Sequence, residues 1–236
     1  MNLLEVKIDR AGYTGKREAI HHICFSLKKG ELTGLIGPNG AGKSTTFKAI
    51  VGLLPEVDGK IQFSAPNSRY IYIPEQPVLY EELTLWEHLE LAASVYEIER
   101  NVFQEKAENL LQIFCLQGAK HHFPTTFSKG MQQKVMIITG LLIEPDLYMI
   151  DEPFVGLDPR ATLDFMRFLN EEKKRGAGIL ISTHQLDMAE RMCDSIILIA
   201  DGQLIAQGNL EEIRSRCKLP QASLFDCFNY ILEQQP

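Results

Sequence analysis

The segment from Gly37 to Ser44 constrains the fold of this chain more than any other feature. It reads Gly37-Pro38-Asn39-Gly40-Ala41-Gly42-Lys43-Ser44. An apolar run of strand type, 32–36, precedes it, and 45–51 has helical spacing. Strand, glycine-rich loop and helix in this order are the context in which such a segment holds a polyphosphate. A glycine-rich turn that ends in Gly-Lys-Ser by coincidence is the alternative, and the flanking pattern argues against it.

The residue types of this segment predict its chemistry. Glycines let the backbone come close to an anion, and successive N–H groups and the start of the helix favour negative charge. Lys43 supplies a mobile positive charge for the β- and γ-phosphates, and the Ser44 hydroxyl suits Mg²⁺. With Thr45 beside them, these residues predict a nucleoside triphosphate site.

Composition sets limits on the class of protein. With 236 residues the chain is long enough for one large domain, or for one core and an additional lobe. A net charge of −7 argues against a general nucleic-acid binder, so no nucleic acid is expected as a partner. Five scattered cysteines without a C-x-x-C pair favour reduced thiols. We expect no signal peptide and no membrane-spanning segment, so that any membrane role comes through a partner.

The region before the loop has the pattern of a small antiparallel β subdomain. Leu4, Val6 and Ile8 alternate with polar residues, and 20–27 is a second β-prone run. Tyr13 lies between two glycines, where we predict a turn. Its ring either stacks on a purine or packs locally, and the sequence leaves both open. After the loop helix, 54–60 is predicted as a turn, and 60–63 and 69–73 as strands.

The middle of the chain is predicted to be helical. Gln76 lies between two prolines and belongs to a connecting segment. Thr84 to Glu87 has the spacing of a capping box, and 103–114 has one apolar helical face. Trp86 is interpreted as a packing residue, and the histidine pairs at 21–22 and 121–122 as non-ligands.

A second helix start suited to anions lies at 128–132, Ser-Lys-Gly-Met-Gln. Taken alone it is an ordinary helix cap.

Two adjacent acids, Asp151 and Glu152, follow a short buried strand. Burying them is costly unless a cation or a reacting water is present, so Asp151 suits Mg²⁺ and Glu152 suits the attacking water.

The last third of the chain continues the alternation of strands and helices. Asp158 is predicted to cap a helix whose apolar side we assign to Leu163, Met166 and Leu169. His184 ends a buried strand, and a hairpin turns at 201–202. A C-terminal amphipathic helix is predicted from Leu224, Phe225, Phe228, Ile231 and Leu232. Docking on its own domain is favoured over contact with a partner.

Taken in order, these motifs resemble the ATP-binding cassette (ABC) ATPase domain up to about residue 206. The loop matches Walker A, Asp151 matches Walker B and Glu152 the catalytic glutamate. Gln76 matches the Q-loop glutamine, Asp158 the D-loop and His184 the switch histidine. The segment Ser128, Lys129, Gly130, Met131 occupies the signature position, and Tyr13 is similar to the adenine-stacking aromatic.

The resemblance implies an α/β fold of the P-loop NTPase type. Its parts are a mixed core sheet, an antiparallel β subdomain and a helical lobe. We expect an ABC ATPase domain over 1–215, with a core lobe at about 1–76 and 145–215 and a helical lobe at about 77–144. Residues 216–236 are expected to form an amphipathic extension.

The signature departs from the usual Leu-Ser-Gly-Gly-Gln of the family, because Phe127, Lys129 and Met131 replace three of its residues. The serine and the second glycine are retained. This form resembles bacterial exporter ATPases of the Ecs and bacteriocin-resistance groups. Lys129 either strengthens phosphate attraction or is simply solvated.

The resemblance also implies cofactors and partners. ATP and Mg²⁺ are expected, with Ser44, Gln76 and Asp151 on the metal. A second ABC ATPase subunit, identical or different, would complete each site with its signature segment. Separate transmembrane permease subunits would hold the chain at the cytoplasmic face of a membrane as a peripheral subunit of an exporter. The alternative is a soluble ABC ATPase that works as an assembly switch.

Overall fold

The computed structural model describes residues 1–65 and 68–234, with the exception of the side chains of 16 and 17. The strands are β1 (Asn2–Tyr13), β2 (Lys16–Lys28), β3 (Leu32–Ile36), β4 (Glu56–Phe63), β5 (Tyr70–Ile73), β6 (Leu147–Asp151), β7 (Gly178–Thr183), β8 (Ser195–Ala200) and β9 (Gln203–Gly208). The helices are α1 (Lys43–Ile50), α2 (Leu85–Val95), α3 (Arg100–Ile113), α4 (Lys129–Ile143), α5 (Pro159–Arg175), α6 (Leu186–Met192), α7 (Leu210–Cys217) and α8 (Leu224–Glu233).

Nine strands form two sheets within the described part of the chain. The larger sheet has the order β5-β6-β7-β3-β8-β9, in which β9 alone is antiparallel to its neighbour. The strands β3, β6 and β7 are buried at every position, as is typical of parallel strands covered on both faces. The predicted mixed core sheet is therefore confirmed.

The smaller sheet is antiparallel with the order β2-β1-β4, which confirms the predicted β subdomain. The prediction of a turn at 54–60 was wrong from residue 56 onward, because β4 begins at Glu56 and pairs with β1. Gly59 lies opposite Ile8, and a Cβ at Gly59 would lie 2.1 Å from the Lys7 carbonyl oxygen. Close approach of two strands, and not a reversal of the chain, explains this glycine.

The helices α2, α3 and α4 pack in one apolar cluster with α5 and one face of the large sheet. Thr84 caps α2 with a complete capping box, as its spacing predicted. Trp86 packs against Phe103 with ring centroids 4.9 Å apart, which agrees with its interpretation as a packing residue. The division into a core lobe and a helical lobe stays a prediction.

Two helix faces differ from the sequence predictions. On α5 the buried side chains are Ala161, Phe165 and Leu169, whereas Leu163 is 59% exposed. Spacing of four residues along 161, 165 and 169 makes this the face that meets the core, and Leu163 lies off it.

The predicted C-terminal helix exists as α8. Its residues Leu224, Cys227 and Phe228 are buried, whereas Phe225 is 53% exposed and was wrongly placed on the apolar face. The buried side packs against α6 and α7 of the same chain. The backbone N–H of Leu224 donates to the Glu190 carboxylate at 2.7 Å, which ties the start of α8 to α6.

Candidate nucleotide site

The glycine-rich loop, hereafter the P-loop (37–44), connects β3 to α1 along the carboxyl edge of the large sheet. A Cβ at Gly37 would lie 2.1 Å from the Ile199 carbonyl oxygen, and one at Gly42 would lie 2.5 Å from the Ile20 side chain. Gly42 also has φ +104°, which a residue with a side chain rarely adopts. These two glycines are therefore required by the packing of the loop, independently of any ligand.

The Lys43 side chain is folded over this loop and is only 6% exposed. Its ammonium donates to the carbonyl oxygens of Gly37 at 2.8 Å and Pro38 at 3.2 Å. It also lies 3.3 Å from a carboxylate oxygen of Glu152. A buried charge needs such partners, and here they hold the ammonium at the mouth of the loop.

The acidic pair lies at the end of β6, where Asp151 is the last residue of the strand and Glu152 follows it, and the neighbouring β7 ends in Thr183. Asp151 is 1% exposed and Glu152 6% exposed. The Glu152 Oε1 atom lies 3.0 Å from His184 Nδ1, and the ring nitrogen is the donor because an ionised carboxylate only accepts. Glu152 and His184 directly follow β6 and β7, and Lys43 begins α1 after the loop that leaves β3. Parallel pairing of β3, β6 and β7 brings the three together.

Two hydroxyl groups that the sequence did not single out contact Asp151. The Ser182 Oγ donates to Asp151 Oδ1, and the Tyr72 hydroxyl lies 3.5 Å from Asp151 Oδ2. Burial, and then the neighbouring Asp151 carboxylate, raise the pKa of Tyr72 above its usual value. A serine and a tyrosine inside strands carry no motif, so only the paired strands reveal them.

A cavity of about 320 Å³ lies over the P-loop. Its lining includes eight residues that the sequence had singled out: Tyr13, Asn39, Gly40, Gly42, Lys43, Ser44, Thr45 and Glu152. Ala19 and Glu75 complete the lining and were not predicted. Gly37, Pro38 and Ala41 belong to the loop but do not line this cavity. A cation, hydroxyl groups and a helix start around one opening suit a polyphosphate.

Tyr13 is the last residue of β1 and not part of the turn that follows. Its hydroxyl lies 3.4 Å from Thr45 Oγ1, and the Lys48 ammonium lies 5.7 Å from the centre of its ring. The ring is 37% exposed at the edge of the cavity. This position fits stacking on a base, and the contact with Thr45 fits local packing, so both interpretations remain.

Gln76 lies in the loop after β5, as predicted, but its side chain is exposed and does not line the cavity. The neighbouring Glu75 lines it instead. Among the described residues, no hydrogen bond joins Gln76 to Ser44 or Asp151, so its place on the metal stays a prediction.

The signature segment lies apart from this cavity. Ser128 caps α4 by accepting the Met131 N–H at 3.3 Å, and both Ser128 and Lys129 are exposed. Gly130 packs against the loop before α5, since a Cβ on it would lie 2.4 Å from the Gly156 carbonyl oxygen. None of the four signature residues lines the P-loop cavity.

Asp158 connects the signature helix to α5. One carboxylate oxygen accepts the Ala161 N–H at 2.8 Å, which caps α5, and the other lies 2.7 Å from the Lys134 ammonium on α4. The hydrogen bond from Lys134 and the cap hold the pKa of Asp158 below its usual value. The predicted cap is thus present, with an ion pair that the sequence did not indicate.

A larger cavity of about 720 Å³ lies beside α5, α6 and α8, with Leu163, Met188 and Phe225 among its lining residues. It reaches His184 but not the P-loop. Because its described lining is mainly apolar, the smaller cavity is the better candidate for a nucleotide.

The residues beside the P-loop fit Mg²⁺. The buried Asp151 carboxylate has hydroxyl partners, and no ion pair is formed by it within 1–65 and 68–234. A buried carboxylate without a cationic partner is unfavourable, and a divalent ion next to it would correct this. With the Ser44 hydroxyl lining the adjacent cavity, the donors are hard oxygen atoms, which Mg²⁺ prefers.

Comparison with known proteins identifies this arrangement. The family model described as "ABC transporter" matches residues 20–155, which include the P-loop, the signature segment and the acidic pair. The chain belongs to the ABC transporter family. Several of its relatives are named as ATP-binding proteins.

Several relatives come from Bacillus subtilis (strain 168), and two of them cover almost all of this chain. The uncharacterized ABC transporter ATP-binding protein YthP is 50% identical over 96% of this chain and 95% of its own length. The ABC-type transporter ATP-binding protein EcsA is 44% identical over 97% of this chain and 96% of its own length. The predicted likeness to Ecs-type ATPases is confirmed.

A solved ATP-binding subunit of an ABC transporter superposes with a TM-score of 0.91 at 45% identity, covering 98% of this chain and 99% of that one. The ABC ATPase fold predicted from the motifs is therefore confirmed. Among the described helices of this ABC family member, none is both long and apolar enough to cross a bilayer.

Proposed function

We propose that this chain hydrolyses ATP with its own P-loop side as a subunit of a membrane exporter. One observation carries the proposal: the Glu152 carboxylate lies between the Lys43 ammonium at 3.3 Å and the His184 ring at 3.0 Å, beside the P-loop cavity. A cation for phosphate, an acid for water and a histidine thus converge on one opening.

Each residue has a role that follows from its chemistry. Lys43 and the loop N–H groups would bind the phosphates, and Ser44 and Asp151 would hold Mg²⁺, which supplies charge stabilisation on the phosphate oxygens. When a phosphate takes over the Lys43 ammonium, Glu152 loses its cationic partner. It is then free to orient or deprotonate the attacking water, while His184 contacts the γ-phosphate.

The signature residues would act on a second chain. Ser128 is exposed, Gly130 is half-buried, and neither lines this chain's own cavity. A head-to-tail pair would place them over the partner's nucleotide, and hydrolysis would then release the pair, since the bridging γ-phosphate is lost. The natural pair is either a homodimer or a heterodimer. Gln76, exposed after β5, is proposed to join the site and contact the metal on closure.

Transport is the proposed use of this cycle. The relatives and the solved neighbour are named as ATP-binding proteins of ABC transporters, which supports the transporter over a soluble assembly switch. Separate permease subunits would dock near 76–84, and the chain would lie on the cytoplasmic face of the membrane. The form of the signature segment, which resembles that of bacterial exporter ATPases, supports an exporter.

The test measures ATP binding by titration calorimetry and phosphate release by the purified protein. Lys43→Ala removes the buried cation, so we expect ATP affinity to fall at least about 100-fold. Glu152→Gln should bind ATP but lose turnover about 100-fold or more. Lys60→Ala, an exposed lysine of β4, is the matched control and should behave as wild type. Wild-type protein that does not hydrolyse ATP would overturn the proposal.

A further inference from the structure

Ser182 forms two hydrogen bonds that join the two acids of the site. Its side chain is 0% exposed at the end of β7, directly opposite Asp151 in the parallel pairing of β6 and β7. Its hydroxyl donates to Asp151 Oδ1 and accepts the backbone N–H of Glu152 at 3.0 Å. These directions are fixed, because the carboxylate has no proton to give and the amide has no free lone pair.

The bond to Glu152 supports an unusual backbone. Glu152 has φ +46°, in the left-handed region that residues other than glycine rarely occupy. The extended chain of β6 ends at this bend. The Glu152 carboxylate that follows it lies between Lys43 and His184. Without the Ser182 hydroxyl, a buried N–H would lose its partner at the residue that carries the strain.

The bond to Asp151 fixes the other acid. Only two side chains hold the Asp151 carboxylate in the described structure: the Ser182 hydroxyl at one oxygen and the Tyr72 hydroxyl, 3.5 Å away, at the other. Hydrogen bonds to an ionised group are stronger than neutral ones, so a hydroxyl is enough to select one orientation of a buried carboxylate.

We propose that Ser182 is a positioning residue that holds Asp151 and Glu152 in one fixed relation for ATP hydrolysis. The inference rests on the proposed function. The Ser182 hydroxyl contacts both Asp151, the acid proposed to hold Mg²⁺, and Glu152, the acid proposed to act on water. A displacement of one acid therefore displaces the other. Ser182 itself touches neither nucleotide nor water in this scheme.

The experiment separates metal binding from turnover. ATP affinity is measured by titration calorimetry with and without Mg²⁺, and kcat and KM are measured for hydrolysis. The Mg²⁺ gain is the ratio of the ATP affinity with Mg²⁺ to the ATP affinity without it. Ser182→Ala should lower kcat about 10- to 100-fold and lower the Mg²⁺ gain about tenfold. Affinity without Mg²⁺ should stay within about twofold, because the P-loop contacts are intact. A role in stability alone would leave the Mg²⁺ gain and kcat unchanged.

Two further variants sharpen the result. Tyr72→Phe removes only the contact with Asp151, so the Mg²⁺ gain should fall a few-fold while kcat at saturating Mg²⁺ stays within about threefold. Thr33→Val is the matched control, since Thr33 is a buried hydroxyl of the neighbouring β3 at 2% exposure. It should behave as wild type in both measurements.

The outcomes decide the inference. If Ser182→Ala keeps kcat and the Mg²⁺ gain within about twofold of a wild type that turns over ATP, this inference is wrong and the proposed function stands. A wild type without turnover contradicts the proposed function before any variant is made. If Ser182→Ala does not fold, Ser182→Cys, which keeps a weak donor, replaces it. If Ser182→Cys lowers both kcat and the Mg²⁺ gain, although by less than expected for Ser182→Ala, the inference is supported. If it lowers neither, the inference is wrong.

Discussion

The P-loop side and the signature side of this molecule are built in different ways. On the P-loop side, Lys43, Asp151 and Glu152 are at most 6% exposed. Their polar partners come from the P-loop, from β5 and β7, and from His184 just after β7. On the signature side, Ser128 and Lys129 are exposed at a helix start. The P-loop side is a set of buried charged groups held by polar contacts. The signature side is an exposed helix start that packs on the loop before α5.

The contacts beneath the signature segment explain this difference. Gly130 packs on Gly156, and Lys134 pairs with Asp158, so α4 is attached to the loop that follows the acidic pair. The first turn of α4 therefore packs on the loop before α5, while Ser128 and Lys129 stay exposed. Such an arrangement suits a surface that recognises a group held by another chain.

The largest expected effect tests whether the two sides act on different chains. Ser128→Asp keeps a good helix cap but puts a negative charge where a partner's phosphate would bind. Turnover should fall at least about tenfold, with ATP affinity of the separate chain unchanged. Ser128→Asn, which caps without the charge, should lose less.

A mixture of two variant proteins tests whether the signature side of one chain acts on the nucleotide of the other. Neither Ser128→Asp nor Lys43→Ala protein should turn over ATP well alone, yet a mixture should recover up to about a quarter of wild-type turnover. Half of the random pairs are mixed, and each mixed pair has one of its two sites intact. Phosphate release in the mixture is the measurement. No recovery, with pairing verified by light scattering, would mean that both sides serve the same nucleotide and that the comparison is wrong.

A smaller effect tests how α4 is supported. Gly130→Ala gains helix propensity of about 1 kcal/mol but places a Cβ 2.4 Å from the Gly156 carbonyl oxygen. Overpacking against backbone costs about 1–3 kcal/mol, so the free energy of unfolding should fall on balance. Urea denaturation is the measurement.

Gly118→Ala is the matched glycine control, because a Cβ there meets nothing within 4 Å. It should be neutral or stabilising by up to about 1 kcal/mol. Equal stability of the two variants would show that the start of α4 does not depend on its contact with Gly156.

The sequence predicted the P-loop side better than the signature side for a physical reason. Strand ends of a parallel sheet share one edge, so Gly37, Asp151 and His184 could be placed together from their positions after apolar runs. The caps at Thr84, Ser128 and Asp158 were also predictable, because a cap is a local hydrogen bond.

What the sequence missed depends on contacts between distant residues. Ser182 and Asp151 are 31 positions apart, and no local pattern marks a serine inside a buried strand. Pairing with β1 overrode the turn propensity around Gly59. The short helices α6 and α7, of 7 and 8 residues, have too few turns for a periodic pattern to be recognised.

The smallest expected effect concerns the ion pair between Lys134 and Asp158. Asp158→Asn keeps the cap of α5 but removes the charge that pairs with α4. The Asp158 side chain is 52% exposed, so solvent screening limits the pair to at most about 1 kcal/mol of unfolding free energy. Lys134→Met and the double variant complete a cycle that isolates this coupling from the cap.

The pH dependence of that coupling has a definite sign. Because the folded pKa of Asp158 lies below its unfolded value of about 3.9, the stabilisation is fully present above that value. It is lost as the pH falls through the lower folded pKa, where the carboxylate takes up a proton. Unfolding free energies at pH 7 and near pH 3 should therefore show the coupling shrinking on acidification. A coupling that is unchanged by acid, or absent at pH 7 in low salt, would show that this ion pair does not attach α4 to the start of α5.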